Sequence, residues 1–475
     1  MLVFVIKGVL IPMNWWKTIQ TESNFYRKLL TLALPLVLQN LMTHSLSLID
    51  TVMVGHLGEQ ELAAVTYANT PFFIIMLLVF GMQGGVSILI SQYWGRRNLR
   101  RINQVLGISL YLAGIITFLC SAAVFFFTDT IMGLITSNQD LIPLASSYAK
   151  IVAFGFFINS FSMMYIAAQR SIGNARFGMY VLGISMCLNT FLNWIFIFGH
   201  FGMPAMGIEG AALATLLARC FELLSTGFFA IRMKNLPLQA KALLIPSKIM
   251  LGDFVRYATP VVANETLWGL AFSVYPIIIG HMTDNVAAMA AFTIAGNIER
   301  IASSVTFGLG HASAVIIGNA IGARETYAQV YHKGTILNFL SVIIGILGGL
   351  LILAVSLLVI RPFLFPLFDL TTNAQVYCTA MLYIIALLSP IRCFNFNNIV
   401  GVLRGGGDVK VALFIDIGFM YLVALPLAAV FTLVLNFNVV WIYLAMALDE
   451  VCRVGFGLFR FVSHKWIHDL TRANV

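Results

Sequence analysis

Charge is what this sequence has least of. Only 10% of its 475 residues are Asp, Glu, Lys or Arg, where a soluble domain carries about a quarter. With 60% of residues hydrophobic and a mean hydropathy of +0.92, that scarcity excludes a water-soluble globular protein. It implies an all-α polytopic membrane protein, because backbone polar groups in a bilayer must be satisfied within each segment. The six cysteines are scattered, mostly inside apolar segments. They have neither metal-ligand spacing nor a disulfide framework and read as small buried hydrophobes. There is no His-Glu-x-x-His, no pair of catalytic aspartates and no acyltransferase-type histidine at suitable depth, so the chain does not read as an enzyme, and nothing in it asks for a cofactor. Its formal charge of +9 does not point to nucleic acid, because the basic residues sit in short loops, where they set topology.

Twelve apolar spans fill residues 29–462, each long enough to cross a bilayer core, which takes roughly 20 residues. Loops after even-numbered spans hold the basic residues: Arg96, Arg97, Arg100 and Arg101, then Arg170 and Arg176, then Arg232 to Arg256, then Arg324 and Lys333, then Arg404 and Lys410. Among loops after odd spans Arg361 is the exception. The excess of Lys and Arg places both termini in the cytoplasm of a cell (inner) membrane protein. The start, MLVFVIKGVLIPMNWWK, is interrupted by Lys7 and lacks a small-residue cleavage site. It reads as an interfacial segment with Trp15 and Trp16 at headgroup depth.

The longest basic connection, 232–256, separates an amino-terminal six-helix lobe, 29–231, from a carboxy-terminal one, 257–462, flanked by a terminus at 1–28 and a tail at 463–475. The halves resemble each other. Leu34 to His56 aligns with Thr259 to His281, Ser91–Arg97 with Gly318–Arg324, and Arg170-Ser-Ile-Gly-Asn174 with Arg404-Gly-Gly-Gly-Asp408. Six spans per half make these parallel repeats with pseudo-two-fold symmetry about the membrane normal, an arrangement that fits two lobes rocking about a cavity. A monomer is expected.

Polar residues inside spans then stand out. Asp50 lies in Leu34–Gly58, with Asn40 and His44 upstream. A carboxylate at the midplane costs roughly 2.5 kcal/mol or more, and such residues mark ion pathways; a place near the helix end, reaching interfacial water, is the bland alternative. Asn189 and Asn193 are four apart and share one helix face. With a carboxylate they make hard oxygen ligands for a small cation, or else they simply hydrogen-bond between helices. Glu265 lies well inside the seventh span. In the repeat register Asp50 falls opposite Tyr275, and Asn40 opposite Glu265. Asp416 comes eight residues after Asp408, which leaves pathway and interface both open. Arg219 and Glu222 are three apart and can pair, and Glu450 and Arg453 take the matching places in the twelfth span with signs swapped.

The run LPLVLQNLMTHSLSLIDTVMVGHLG, the Asn-x3-Asn of the fifth span, MGIEGAALAT, ATPVVANETLW and LRGGGD together resemble the multidrug and toxic-compound extrusion (MATE) family, over about residues 25–462. The resemblance implies a cation-coupled antiporter, using sodium or protons, that exports bulky amphipathic and often cationic compounds. By the same resemblance Asp50, Asn189 and Thr215 match the cation site of the amino-terminal lobe. Asn193 falls where some members carry a second aspartate, so this chain keeps one carboxylate there and leans toward sodium. Glu265 matches a glutamate of the carboxy-terminal lobe, whereas the neighbouring tenth-helix aspartate of some members is missing from CFNFNN, 393–398. A lipid or lipid-linked oligosaccharide flippase of similar architecture is the rival reading; such a cargo's phosphate calls for a cationic cavity, whereas Asp50 and Glu265 are acidic.

Overall fold

The computed structural model describes residues 23–471 apart from 234, 246, 283, 368 and 369; the expected interfacial segment around Trp15 and Trp16 lies outside them. Among the described residues twelve long helices follow one another: α1 Ser23–Gly55, α2 Glu59–Gly95, α3 Leu99–Phe126, α4 Leu141–Ser171, α5 Ala175–Phe198, α6 Gly207–Arg232, α7 Lys248–Gly280, α8 Asn285–Gly322, α9 Tyr327–Phe363, α10 Thr372–Leu403, α11 Val409–Val434 and α12 Val440–Val462. Among the described residues, α1 to α11 are long and apolar enough to cross a membrane by length and composition. The twelfth has the length, but Asp449, Glu450, Arg453 and Arg460 dilute its apolar run.

Helix ends follow local chemistry. Gly58 takes φ 147° between α1 and α2, a region L side chains rarely enter, and Glu59 and Glu61 in the first turn of α2 favour its positive dipole end. Asn98 caps α3 by accepting from the Arg101 backbone N–H at 3.1 Å. Thr326 and Gln329 form a reciprocal capping box at α9. Both α1 and α7 begin ahead of their apolar runs, so Pro35 and Pro260 lie within helices rather than opening them. Likewise α2 runs through Pro71.

The chain divides into two compact units. One takes the chain up to Val37 and from Leu267 onward; the other is Leu38–Thr266. Within the second, α2 packs on α4, α3 on α4, α4 on α6 and α5 on α6. Within the first, the same pairings recur six helices on: α8 with α10, α9 with α10, α10 with α12 and α11 with α12. Local geometry repeats as well. Arg97 and Arg324 both turn left-handed, at φ 55° and 59°, and Gly173 and Gly407 at 98° and 91°. His56 and His281 each bring Nδ1 to the carbonyl four residues back, at 2.7 and 2.8 Å.

Small residues let helices approach. On α2, Gly84 faces Val261 of α7, and a methyl on Gly85 would collide with the backbone of Ala258. By contrast, nothing lies within 4 Å of where a Cβ would sit at Gly227. Overpacking costs about 1–3 kcal/mol. Gly85→Ala should therefore lower the unfolding temperature of the purified protein in scanning fluorimetry, while Gly227→Ala leaves it unchanged or slightly raised; equal effects would show that the α2–α7 approach is not tight.

Candidate functional site

Asp50 sits near the end of α1, five residues before Gly55, and is half-buried. The α-helical repeat puts Asn189 and Asn193 one above the other on α5, both facing it. Asn193 Nδ2 donates to Asp50 Oδ1 at 2.8 Å and to Asn189 Oδ1 at 3.2 Å. From α6, Thr215 Oγ1 accepts from Asn189 Nδ2 at 3.4 Å and donates to the Ala211 carbonyl at 3.0 Å. Turning the Asn189 amide over gives an equally good set: its nitrogen then donates to Asp50 Oδ1 at 3.2 Å, and its oxygen accepts from the Thr215 N–H at 3.3 Å. Asn193 Oδ1 is buried without a hydrogen-bond donor. The structure thus brings together four side chains from three helices, two of them asparagines that are 4% and 2% exposed. A chain of hydrogen bonds leads from Thr215 through Asn189 and Asn193 to one carboxylate, and one amide oxygen lacks a partner. Buried polar groups are seldom left so, and a cation or a proton donor is what an unpaired amide oxygen beside a carboxylate can accept.

One turn along α6 from Thr215, Arg219 lies within electrostatic reach of Asp50. Arg219 Nη1 pairs with Glu222 Oε1 at 2.7 Å, as their spacing predicts. Glu222 also accepts from Ser185 Oγ at 2.7 Å and from Asn159 Nδ2 at 2.8 Å, so this buried acid is fully satisfied. Tyr148 of α4 is buried and within electrostatic reach of Asp50, a neighbour that no periodicity in the chain marks out. Glu265 is half-buried on α7 within the same unit, Leu38–Thr266.

The comparisons with known proteins agree with this architecture. The family model MatE matches residues 35–195 and 260–430. The chain belongs to the MatE family. Members are transporters, not enzymes, and this one is an all-α, multi-pass membrane protein. It is 26% identical to "Probable multidrug resistance protein YoeA" of Bacillus subtilis, over 94% of this chain and 96% of that one. It is 24% identical to "Probable multidrug resistance protein NorM" of Thermotoga maritima, over 93% of each. Its fold matches an outward-facing multidrug resistance MATE family transporter of the MOP superfamily with a TM-score of 0.82, at 21% identity, covering 92% of this chain and 96% of that one.

The other unit of this MatE transporter holds a different constellation. Tyr275 is fully buried in an apolar cluster with Tyr443, Met446 and Cys378, and its hydroxyl has no hydrogen-bond partner. Asp416 of α11 is engaged by arginines: Arg453 Nη1 donates to its Oδ1 at 2.8 Å, and Arg404 Nη2 lies 3.5 Å from its Oδ2. Sequence spacing suggested Glu450 as the partner of Arg453. Instead Arg453 grips Asp449, one helical turn back, with Nε 2.9 Å from Oδ1 and Nη2 against Oδ2. Glu450 points elsewhere, accepting from Asn395 Nδ2 at 2.7 Å and lying 3.8 Å from Arg392 Nε. Either spacing allows a pair; the choice follows from the neighbours, because Asn395 and Arg392 of α10 draw Glu450 away. Asp449 was overlooked because only the shorter spacing was weighed. Glu299 pairs with Arg392 across α8 and α10.

Removing one partner of a buried charge pair leaves the other uncompensated, at about 3–5 kcal/mol. Glu222→Leu also strands Ser185 and Asn159. Arg219→Leu should nevertheless lower the unfolding temperature more, because it leaves the Glu222 carboxylate, only 2% exposed, uncompensated, whereas Glu222→Leu leaves an Arg219 side chain that is 30% exposed and can turn to water. A larger loss for Glu222→Leu would show that the stranded Ser185 and Asn159, rather than the unpaired charge, set the cost.

Proposed function

We propose that this chain is a cation-coupled antiporter that exports amphipathic, often cationic small molecules by alternating access. Family membership and the multidrug resistance names of its relatives support the export role. The observation that carries the coupling is the meeting of Asp50 with Asn189, Asn193 and Thr215, and the unpaired Asn193 oxygen beside the carboxylate. A proton would need only the aspartate. Sodium needs several hard oxygens at once, and here one carboxylate, two amides and a hydroxyl follow one another in a continuous hydrogen-bonded chain. The site carries one negative charge, which a single monovalent cation neutralises. Sodium is therefore the favoured coupling ion. Glu265 serves the cationic cargo or a proton. The basic loops orient the chain in the cell (inner) membrane with both termini cytoplasmic.

Efflux from proteoliposomes under separately imposed sodium and proton gradients tests this. Asp50→Asn should abolish gradient-driven efflux at normal expression, since no anionic ligand remains; near-normal efflux would refute the assignment. Asn193→Leu should raise the sodium concentration for half-maximal efflux several-fold and leave the pH profile in place. A shifted pH profile with no response to sodium would make Asp50 a proton site.

Glu265→Gln should weaken transport of cationic compounds more than of neutral ones, because a charge in a low-dielectric surround feels a carboxylate far more strongly than in water. The check is a paired efflux assay of one cationic and one neutral fluorescent dye; an equal loss for both would remove Glu265 from cargo recognition.

A further inference from the structure

The internal repeat allows the two units to be compared place by place. In Leu38–Thr266 the cation site forms where α1, α5 and α6 meet, and six helices on the corresponding meeting is that of α7, α11 and α12. Asp50 corresponds to Tyr275, Arg219 to Glu450 and Glu222 to Arg453. At this second meeting the first-helix carboxylate is therefore gone, and a guanidinium stands where the first unit has a buried acid. Arg453 is 5% exposed, Asp449 3% and Tyr275 0%. Arg453 reaches Asp449 through Nε and Nη2 and Asp416 of α11 through Nη1, and Tyr275 of α7 lies within electrostatic reach of Asp449 and Arg453.

Two aspartates this close inside a membrane cannot both stay ionised without a positive charge between them. Arg453 supplies it in a form that cannot leave. The guanidinium keeps its proton under all physiological conditions, and its planar fork holds one carboxylate bidentately while a third nitrogen reaches the other. The surrounding charges are also matched. Arg404 lies against Asp416, and Arg392 lies between Glu299 and Glu450, with Arg300 in reach of the same Tyr443 as Arg392.

We infer that Arg453 is a tethered cation: from α12 it permanently neutralises Asp449 of its own helix and Asp416 of α11, as a diffusible cation neutralises Asp50 in the other unit, so that Asp416 and Asp449 hold no exchangeable ion. This rests on the reading of Asp50 as the coupling site and extends it: ion exchange during the cycle changes the charge of one unit only. A chain with a neutral residue at 453 would need a cation in both.

The test is cation uptake by the purified full-length protein, read as bound 22Na+ and, in weakly buffered solution, as protons taken up. Asp416→Asn and Asp449→Asn should leave the number of cations per chain as in the wild type. Arg453→Gln should gain about one further sodium ion or proton per chain, and that gain should persist in Asp50→Asn/Arg453→Gln and vanish when Asp449→Asn is added. Arg453→Lys, which keeps the charge, should show no gain. The inference is overturned if Asp416→Asn or Asp449→Asn reduces uptake in an otherwise wild-type chain, or if folded Arg453→Gln takes up no more than the wild type. Should Arg453→Gln fail to fold, the two aspartate variants decide alone. Undiminished uptake by Asp50→Asn would instead refute the coupling site proposed above, a separate outcome read on a separate variant.

Discussion

A charge on a membrane-spanning helix must find a partner, and the interior of this protein is arranged around that constraint. Moving an ionised group away from water is costly, and the cost is offset only by hydrogen bonds or an opposite charge close by. Each unit meets the demand differently. Around Asp50 the partners are neutral: amides and a hydroxyl that can present either hydrogen or oxygen. Around Asp416 and Asp449 the partner is a fixed guanidinium. Amide partners leave a net negative charge open to compensation from outside, whereas a guanidinium closes the account internally.

The same constraint explains what could be read from the sequence. Spans α1 to α11 were legible because each keeps an apolar window with at most two charged residues, even where α6 holds Arg219 and Glu222 and α8 holds Glu299 and Arg300. The twelfth span was legible too, as a hydrophobic stretch of the right length, yet its composition alone does not mark it as membrane-crossing, because Asp449, Glu450 and Arg453 crowd its middle. Those residues become tolerable only once Arg453 pairs with Asp449 and Asp416 and Glu450 meets Asn395 and Arg392, a tertiary fact that hydropathy cannot contain. The Asp50 cluster was legible for the opposite reason. A lone acid and two asparagines at a helical interval are rare enough in apolar runs to be noticed, and helical periodicity alone brings the asparagines onto one face.

Where backbone geometry departs from the regular helix, the sequence offered no warning. Asn397–Leu403 is π-helical, a wider turn often found where side chains must be re-aimed. Asn397 and Asn398 are consecutive, so in an α-helix their side chains would diverge. Here both reach Asn338 of α9: Asn397 Nδ2 donates to Asn338 Oδ1 at 2.9 Å, and Asn338 Nδ2 donates to Asn398 Oδ1 at 3.0 Å, while Ser313 of α8 donates to Asn397. A polar chain across α8, α9 and α10 thus replaces an apolar seam. Reading CFNFNN as a place where an acid was missing overlooked the amides that took over.

The two halves share neighbours, turns and caps, so their divergence is concentrated in side chains at a few positions. Main-chain geometry is retained because both units must pack the same way, and it is charge that is redistributed between them. A second acid at 193 would have let the amino-terminal site carry two negative charges; the amide found there keeps the oxygen count and removes one charge. Arg453 removes the corresponding demand in the other unit by satisfying it permanently. Both lower the negative charge left uncompensated inside their units, and they do so through opposite means, one by an amide in place of a carboxylate and the other by a guanidinium held between two carboxylates.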